Sequence, residues 1–164
     1  MSEKITVRAA DPAEIPDLLA FWARAAEGTS ITDDPAGVAR LLDRDPEALL
    51  VAELDGVLAG TVIAGFDGWR CHLYRLAVAP ELRRRGVGAA LVAAAERRFA
   101  GLGGRRADAM VLDHNELGQS AWVAAGFHRE DHWRRWVKPL PVPQADADGA
   151  GGSDAPGSRD ALDM

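Results

Sequence analysis

The residues best able to do chemistry lie in one stretch, Leu73-Tyr-Arg-Leu-Ala-Val-Ala-Pro-Glu-Leu-Arg83-Arg-Arg-Gly86-Val-Gly88-Ala-Ala-Leu91. It reads as a strand, a short arginine-rich loop and two glycines that lead directly into a helix. The first N–H groups of a helix have no intrahelical partner, and the macrodipole favours an anion beside them. Glycines let the backbone approach a diphosphate closely, and arginines add charge and forked hydrogen bonds. The chemistry this spacing suggests is capture of a phosphorylated group. The bland alternative is a capped helix with solvated arginines. A dinucleotide-binding turn fits poorly, although Asp108 lies at a suggestive distance. Leu91 stands at the third glycine, residues 79–85 separate strand from glycine, and the preceding strands pair as hairpins. A Walker loop is excluded because no Gly-Lys-Ser/Thr follows.

Other reactive side chains carry less. Cys71 is the sole cysteine and opens a strand-like run, where a small buried hydrophobe is the common role. His128 and His132 have metal-ligand spacing only on a helix, and their stretch reads as a strand or hairpin, so no metal site is expected. Trp133 and Trp136 flank Arg134-Arg135 and read as sheet packing or as one wall of an acceptor site. Arg97, Arg98, Arg105 and Arg106 read as a solvated helix face and loop.

The elements that must position these residues follow from periodicity and punctuation. Residues 4–9 read as a strand. Asp11-Pro12 with Glu14 is a capping-box start for a helix running to about Ala26 through Ile15, Leu18, Leu19 and Trp22. After a loop at 28–32, Asp34-Pro35 starts a second helix that ends before Pro46. Residues 48–54 and 57–66 flank Asp55-Gly56, a hairpin signal, and Asp67-Gly68 marks a second hairpin into a strand over 70–78. A helix from Gly86 or Gly88 buries Val87, Leu91, Val92, Ala95 and Phe99. Residues 107–112 read as a strand, 116–125 as a helix and 127–138 as a final strand or hairpin. The fold class is α+β: a mostly antiparallel sheet with one late strand-helix-strand crossover.

Length and composition fit one domain over residues 1–138, and the 48% hydrophobic content supports a sizeable core. Residues 139–164 are rich in Pro, Gly, Ala, Asp and Ser, and we expect an acidic disordered tail. Of the net charge of −6, the tail holds −4, from five aspartates and Arg159. A near-neutral body with one dense arginine cluster argues for a local anion site and against a nucleic-acid-coating surface. No signal peptide or bilayer-spanning run is expected, so neither is a membrane partner. A lone cysteine fits a reducing, cytoplasmic compartment.

The motifs together are similar to those of the GNAT superfamily, the GCN5-related N-acetyltransferases. Arg83-x-x-Gly86-x-Gly88 resembles the family's R/Q-x-x-G-x-G/A pyrophosphate loop. Leu76-Ala-Val-Ala-Pro80 matches its L-x-V-x-P strand end. Asn115 with Ala121-Trp-Val-Ala-Ala-Gly126-Phe127 resembles N…A-x-x-x-Y-x-x-x-G-F/Y, with Trp122 at the tyrosine. The element order agrees over about 4–138. The resemblance implies a splayed sheet flanked by helices, acetyl-CoA as cofactor and an amine as acceptor. It implies that the strand before the loop bulges and parts from its neighbour to admit the pantetheine arm. The backbone of Leu76, Ala77 and Val78 would hold that arm. Arg83, with the amides of Arg84, Arg85, Gly86, Val87, Gly88 and Ala89, would hold the pyrophosphate. Asn115 and Trp122 would face the arm from the far side. A homodimer is compatible with the resemblance, and no motif encodes the oligomeric state.

For catalysis the resemblance implies direct attack by a neutral amine, with an N–H near Ala77 or Val78 at the oxyanion. Some family members carry a carboxylate six residues before the position of Val78; here that residue is His72. An imidazole suits proton acceptance at neutral pH, and a structural histidine or deprotonation through water stands beside that reading. Trp122 cannot deliver a proton. Tyr74, the only tyrosine, shares a strand face with His72 if the strand is regular, and reads as the acid or as part of the acceptor pocket. The thiolate can also take its proton from solvent. The acceptor, a small-molecule amine or a peptide or protein N-terminus, would lie between the 28–34 loop and the residues around Trp69 and 128–136. The alternative function is a degenerate member that binds acyl-CoA as a sensor or partner-binding module.

Overall fold

The computed structural model describes residues 2–28 and 30–141. Strand β1 (Ile5–Ala9) leads into the expected capping box: the Asp11 carboxylate accepts from the Ala13 N–H at 2.8 Å, and Glu14 accepts from the Asp11 N–H at 2.8 Å. Proline at the first position fixes φ for a single 3-10 turn, Pro12–Glu14, which continues as α1 (Ile15–Ala25). Ile15, Leu18, Phe21, Trp22 and Ala25 recur at helical spacing and are buried. Helix α2 (Pro35–Arg44) starts where the Asp34 carboxylate accepts from the Gly37 N–H, and it buries Val38 and Leu42.

Strands β2 (Leu49–Leu54), β3 (Val57–Phe66) and β4 (Cys71–Val78) follow as an antiparallel meander. Asp55 and Gly56 both take positive φ, 49° and 83°, the geometry that matches the twist of a two-residue hairpin. Helix α3 (Val87–Gly101) crosses over to β5 (Ala107–Ala109), which pairs parallel to β4, and α4 (Glu116–Ala124) follows. The sheet order is β1-β2-β3-β4-β5, mixed and mostly antiparallel.

Each sheet face has its own core. Leu49, Val51, Ala77 and Ala79 pack with α1 and α2, whereas Leu50, Ala52, Val62, Leu73 and Cys71 pack with Leu91, Ala95 and Phe99 of α3. Burial pushes the Cys71 thiol up, as a sealed apolar site must. Gly60, inside β3, lies directly against side chains of α3. A Cβ there would lie 2.8 Å from the Ala77 carbonyl oxygen, 2.9 Å from Leu91 and 3.0 Å from Val87.

Two expectations are corrected. The strand expected over 107–112 stops at Ala109; Met110 and Leu112 are exposed, and β4 offers partners only as far as Leu73. The strand or hairpin expected over 127–138 does not form among the described residues. Trp133, Trp136 and Val137 are spaced by three residues and then by one, which is not strand alternation, and all three are exposed. The contacts divide the chain into Met1–Arg129 and a second unit from Glu130 onward. Within the second unit, Arg134 donates to the Asp131 carbonyl at 2.6 Å, and the His132 and Trp133 rings lie 5.3 Å apart. The expected disordered tail lies outside the described residues beyond position 141.

Candidate active site

The site is built around an irregularity in β4. Tyr74 pairs with Ile63 and Ala77 with Thr61, so Arg75 and Leu76 together oppose Val62 alone. This is a β-bulge, and Arg75 accommodates it in the left-handed region, φ 49°. The extra residue inverts the side-chain alternation. Leu73 faces the α3 cluster, yet Ala77, four residues on, faces the α1–α2 cluster, and Leu76 and Val78 take its place against α3.

A buried relay holds the bulge. The Trp22 indole N–H donates to the Thr61 hydroxyl at 2.9 Å, and that hydroxyl donates to the Arg75 carbonyl at 3.0 Å. Thr61 is fully buried, so the low-dielectric surroundings strengthen both bonds. The Arg75 guanidinium reaches the loop between α1 and α2, where it makes a two-pronged ion pair with Asp33 and donates to the Gly28 carbonyl at 3.4 Å. Reading the sequence missed this arrangement; a lone arginine inside an apolar strand was the available signal.

The ladder with β5 ends just before the bulge. Pairing of β4 with β5 covers Cys71–Ala107, His72–Asp108 and Leu73–Ala109, and ends there. The edge of β4 over 74–78, with Leu76, Ala77 and Val78, therefore lies outside the ladder with β5. An end to this ladder is what the resemblance to the GNAT superfamily implies.

The loop after β4 makes a 3-10 turn at Pro80–Leu82 and then runs through Arg83, Arg84, Arg85 and Gly86. Arg84 and Gly86 both take positive φ, 64° and 85°. For arginine this costs about 1 kcal/mol, a strain that persists where surroundings or function require it. Gly86 caps α3 without any side-chain bond, so the first amides of the helix, at Val87, Gly88 and Ala89, are left for an external acceptor. Gly88 sits against Val78, with 3.7 Å between its Cβ position and Cγ2, so helix start and strand end are contiguous. Arg85 donates to Glu3 at 2.7 Å. These donors fit a diphosphate, and the open strand edge beside them fits an amide-containing chain.

Asn115 is the N-cap of α4, its side chain accepting from the Gly118 N–H at 2.9 Å. Trp122 is half-buried against the α3-side cluster and meets Phe127 edge-on at 4.8 Å. On the opposite sheet face, His72 and Tyr74 have ring centroids 6.1 Å apart, as their alternation predicts. His72 Nδ1 lies 2.7 Å from an Asp108 carboxylate oxygen, and Nε2 lies 3.8 Å from Asp67. Asp67 takes the Trp69 and Arg70 amides of its turn, bonds that hold its carboxyl below the usual range.

Comparison with known proteins agrees with this geometry. The model of the acetyltransferase (GNAT) family matches residues 15–127. An acetyltransferase of Yersinia enterocolitica is 30% identical over 125 residues, covering 76% of this chain and 89% of that protein. Among solved structures, the aminoglycoside N-acetyltransferase AAC(6')-Iy in complex with CoA superposes with a TM-score of 0.70 at 22% identity, over 84% of this chain and 97% of that one. The PaiA N-acetyltransferase of Thermoplasma acidophilum, with coenzyme A, gives 0.68 at 19% identity, over 78% and 92%. The open β4 edge, the glycine-capped start of α3 and these likenesses have one common account: the chain belongs to the GNAT family of acetyltransferases.

Proposed function

We propose that the protein moves an acetyl group from acetyl-CoA to a primary amine, carried by a small molecule or by a peptide or protein N-terminus, through direct attack in a ternary complex. The observation that supports this most is the adjacency of an open strand edge over 74–78 and a helix start capped by Gly86 alone. Solved relatives of the same fold are in complex with CoA. When bound, acetyl-CoA supplies the activated thioester and the departing thiol. The backbone of Leu76, Ala77 and Val78 holds the pantetheine arm as an added strand would be held. Arg83 and the amides from Arg84 to Ala89 take the pyrophosphate, and Asn115 and Trp122 bound the arm from α4.

On the other face, the bulge turns an N–H near Ala77 or Val78 toward the developing oxyanion. His72 accepts the proton of the attacking amine at a ring nitrogen. Tyr74, 47% exposed, either returns a proton or lines the acceptor pocket. The acceptor lies between the 28–34 loop, which Arg75 ties to the bulge, and Trp69.

The test is thiol release from acetyl-CoA across amines, polyamines, aminoglycosides and peptides with free N-termini. Turnover with any of them is expected. Substituting Gly88 by Val should weaken acetyl-CoA binding at least tenfold in calorimetry, because a branched side chain crowds the helix start. Tight binding of acetyl-CoA without turnover on any amine would replace this reading by a binding module. Absence of binding would remove it.

A further inference from the structure

We propose that Asp108 is a positioning residue that holds His72 in its Nδ1–H form, so that Nε2 is the proton acceptor; this rests on the reading of His72 as the base. The side chains of His72 and Asp108 share one sheet face, and Gly65 is the β3 position beside them, because the three residues are directly paired across β3, β4 and β5. Gly65 offers the imidazole no partner from β3. A Cβ there would touch the Tyr74 ring at 3.5 Å, so that ring covers the space. From β5, the Asp108 carboxylate meets Nδ1 at 2.7 Å, the length of a charge-assisted bond. A carboxylate only accepts, so the proton of a neutral imidazole must sit on Nδ1.

The other nitrogen is left with a different neighbour. Asp67 spends Oδ1 on the Trp69 and Arg70 amides, at 2.8 and 2.7 Å, which turns Oδ2 toward His72 Nε2. Both atoms are acceptors and do not bond each other; at 3.8 Å from the carboxylate, the Nε2 lone pair is left for an amine N–H. When the amine nitrogen bonds to the acyl carbon, the proton of that nitrogen passes to Nε2, and the carbon–sulfur bond breaks with its electron pair leaving on sulfur as a thiolate, which takes a proton from solvent. The resulting imidazolium then lies between Asp108 and Asp67, both negative. Its proton leaves to solvent and resets the ring.

Asp108 and Asp67 are about half exposed, 56% and 55%, so screening limits what either adds to stability. Orientation is the larger effect. In an Asp108→Asn variant, the amide can turn its NH2 toward Nδ1 and place the proton on Nε2, which removes the acceptor.

The experiment combines a tautomer measurement with a double-mutant cycle. Long-range 15N–1H correlation spectra of the full chain above neutral pH should show His72 as Nδ1–H in the wild type and shifted toward Nε2–H in Asp108→Asn. General-base catalysis contributes roughly 10²–10⁴-fold. Asp108→Asn should therefore lower kcat by about ten- to a hundredfold, leave the KM for acetyl-CoA unchanged, and have no further effect in a His72→Ala background. A wild-type His72 in the Nε2–H form would overturn the proposal, whether or not any amine is acetylated. An equal loss from Asp108→Asn with and without His72 would also overturn it, because that is the signature of a residue that only braces β5.

Discussion

The most constrained single residue is Thr61, the one buried polar side chain of the described core. Its hydroxyl accepts from Trp22 and donates to the Arg75 carbonyl, so both of its hydrogen-bonding capacities are used. A Thr61→Val substitution keeps the shape and strands two partners, the buried indole N–H and the part-buried Arg75 carbonyl. Each unsatisfied group costs about 1–3 kcal/mol. We expect a loss of about 2–4 kcal/mol in urea unfolding and a weaker hold on acceptors, since the bulge and the 28–34 loop hang from the same carbonyl and side chain. Undiminished stability would mean that the relay does not brace the bulge. Very little of this was legible beforehand. Trp22 read correctly as a core position of α1, but its partner is 39 residues away, and no local pattern encodes such a pairing. The motif residues are the opposite case. Arg83, Gly86 and Gly88 depend on spacing within a few residues, and they lie where that spacing predicted. His72 and Tyr74 share one face by alternation, whereas Asp108, weighed in the sequence only against a dinucleotide-binding turn, comes beside His72 through the parallel pairing of two distant strands.

At the scale of elements, α3 must bring its N-terminus close to the end of β4, and the small residue beneath it sets how close. Gly60 is that residue. An alanine there puts a methyl group 2.8 Å from a backbone oxygen, where no flexible side chain can move aside. Overpacking of this kind costs about 1–3 kcal/mol. The helix start should shift away from Val78, so Gly60→Ala is expected to weaken acetyl-CoA binding severalfold in calorimetry as well as lower the melting temperature. Destabilisation with cofactor affinity fully retained would show that the helix start tolerates displacement. Local punctuation explains which elements were foreseen. The capping box at Asp11, the Asp34-Pro35 start and the Asp55-Gly56 turn each fix a boundary by chemistry confined to a few residues. The C-terminal region lacked such signals. A strand or hairpin is expected over 127–138, yet the large apolar residues there, Phe127, Trp133, Trp136 and Val137, do not alternate.

At the scale of the whole molecule, the β1 edge of the sheet is joined to the first helix by charge as well as by apolar packing. Arg8 on β1 reaches Glu14 at the start of α1, at 2.5 Å, and Glu53 on β2, at 2.8 Å. The three side chains are roughly a third exposed, so the cluster adds on the order of 1 kcal/mol rather than the value of a buried pair. Hydrogen bonding to Arg8, and then the Asp11 amide, holds the Glu14 carboxyl below its ordinary value. A depressed carboxyl adds stability that is present above the unfolded-state pKa and is lost as the pH falls through the folded one. A Glu14→Gln variant keeps an acceptor for the Asp11 amide and loses only the charge. It should unfold at lower urea than the wild type at neutral pH, by about 1 kcal/mol, and the gap should close as the solution is acidified below the usual carboxylate range. No gap at neutral pH would mean that Glu14 acts through the capping box alone, and a gap that persists in acid would mean that the loss does not come from its charge. The same titration separates this clamp from the active site, because His72 and its two carboxylates lie at the far end of the sheet order, on β4, β5 and the turn that precedes β4.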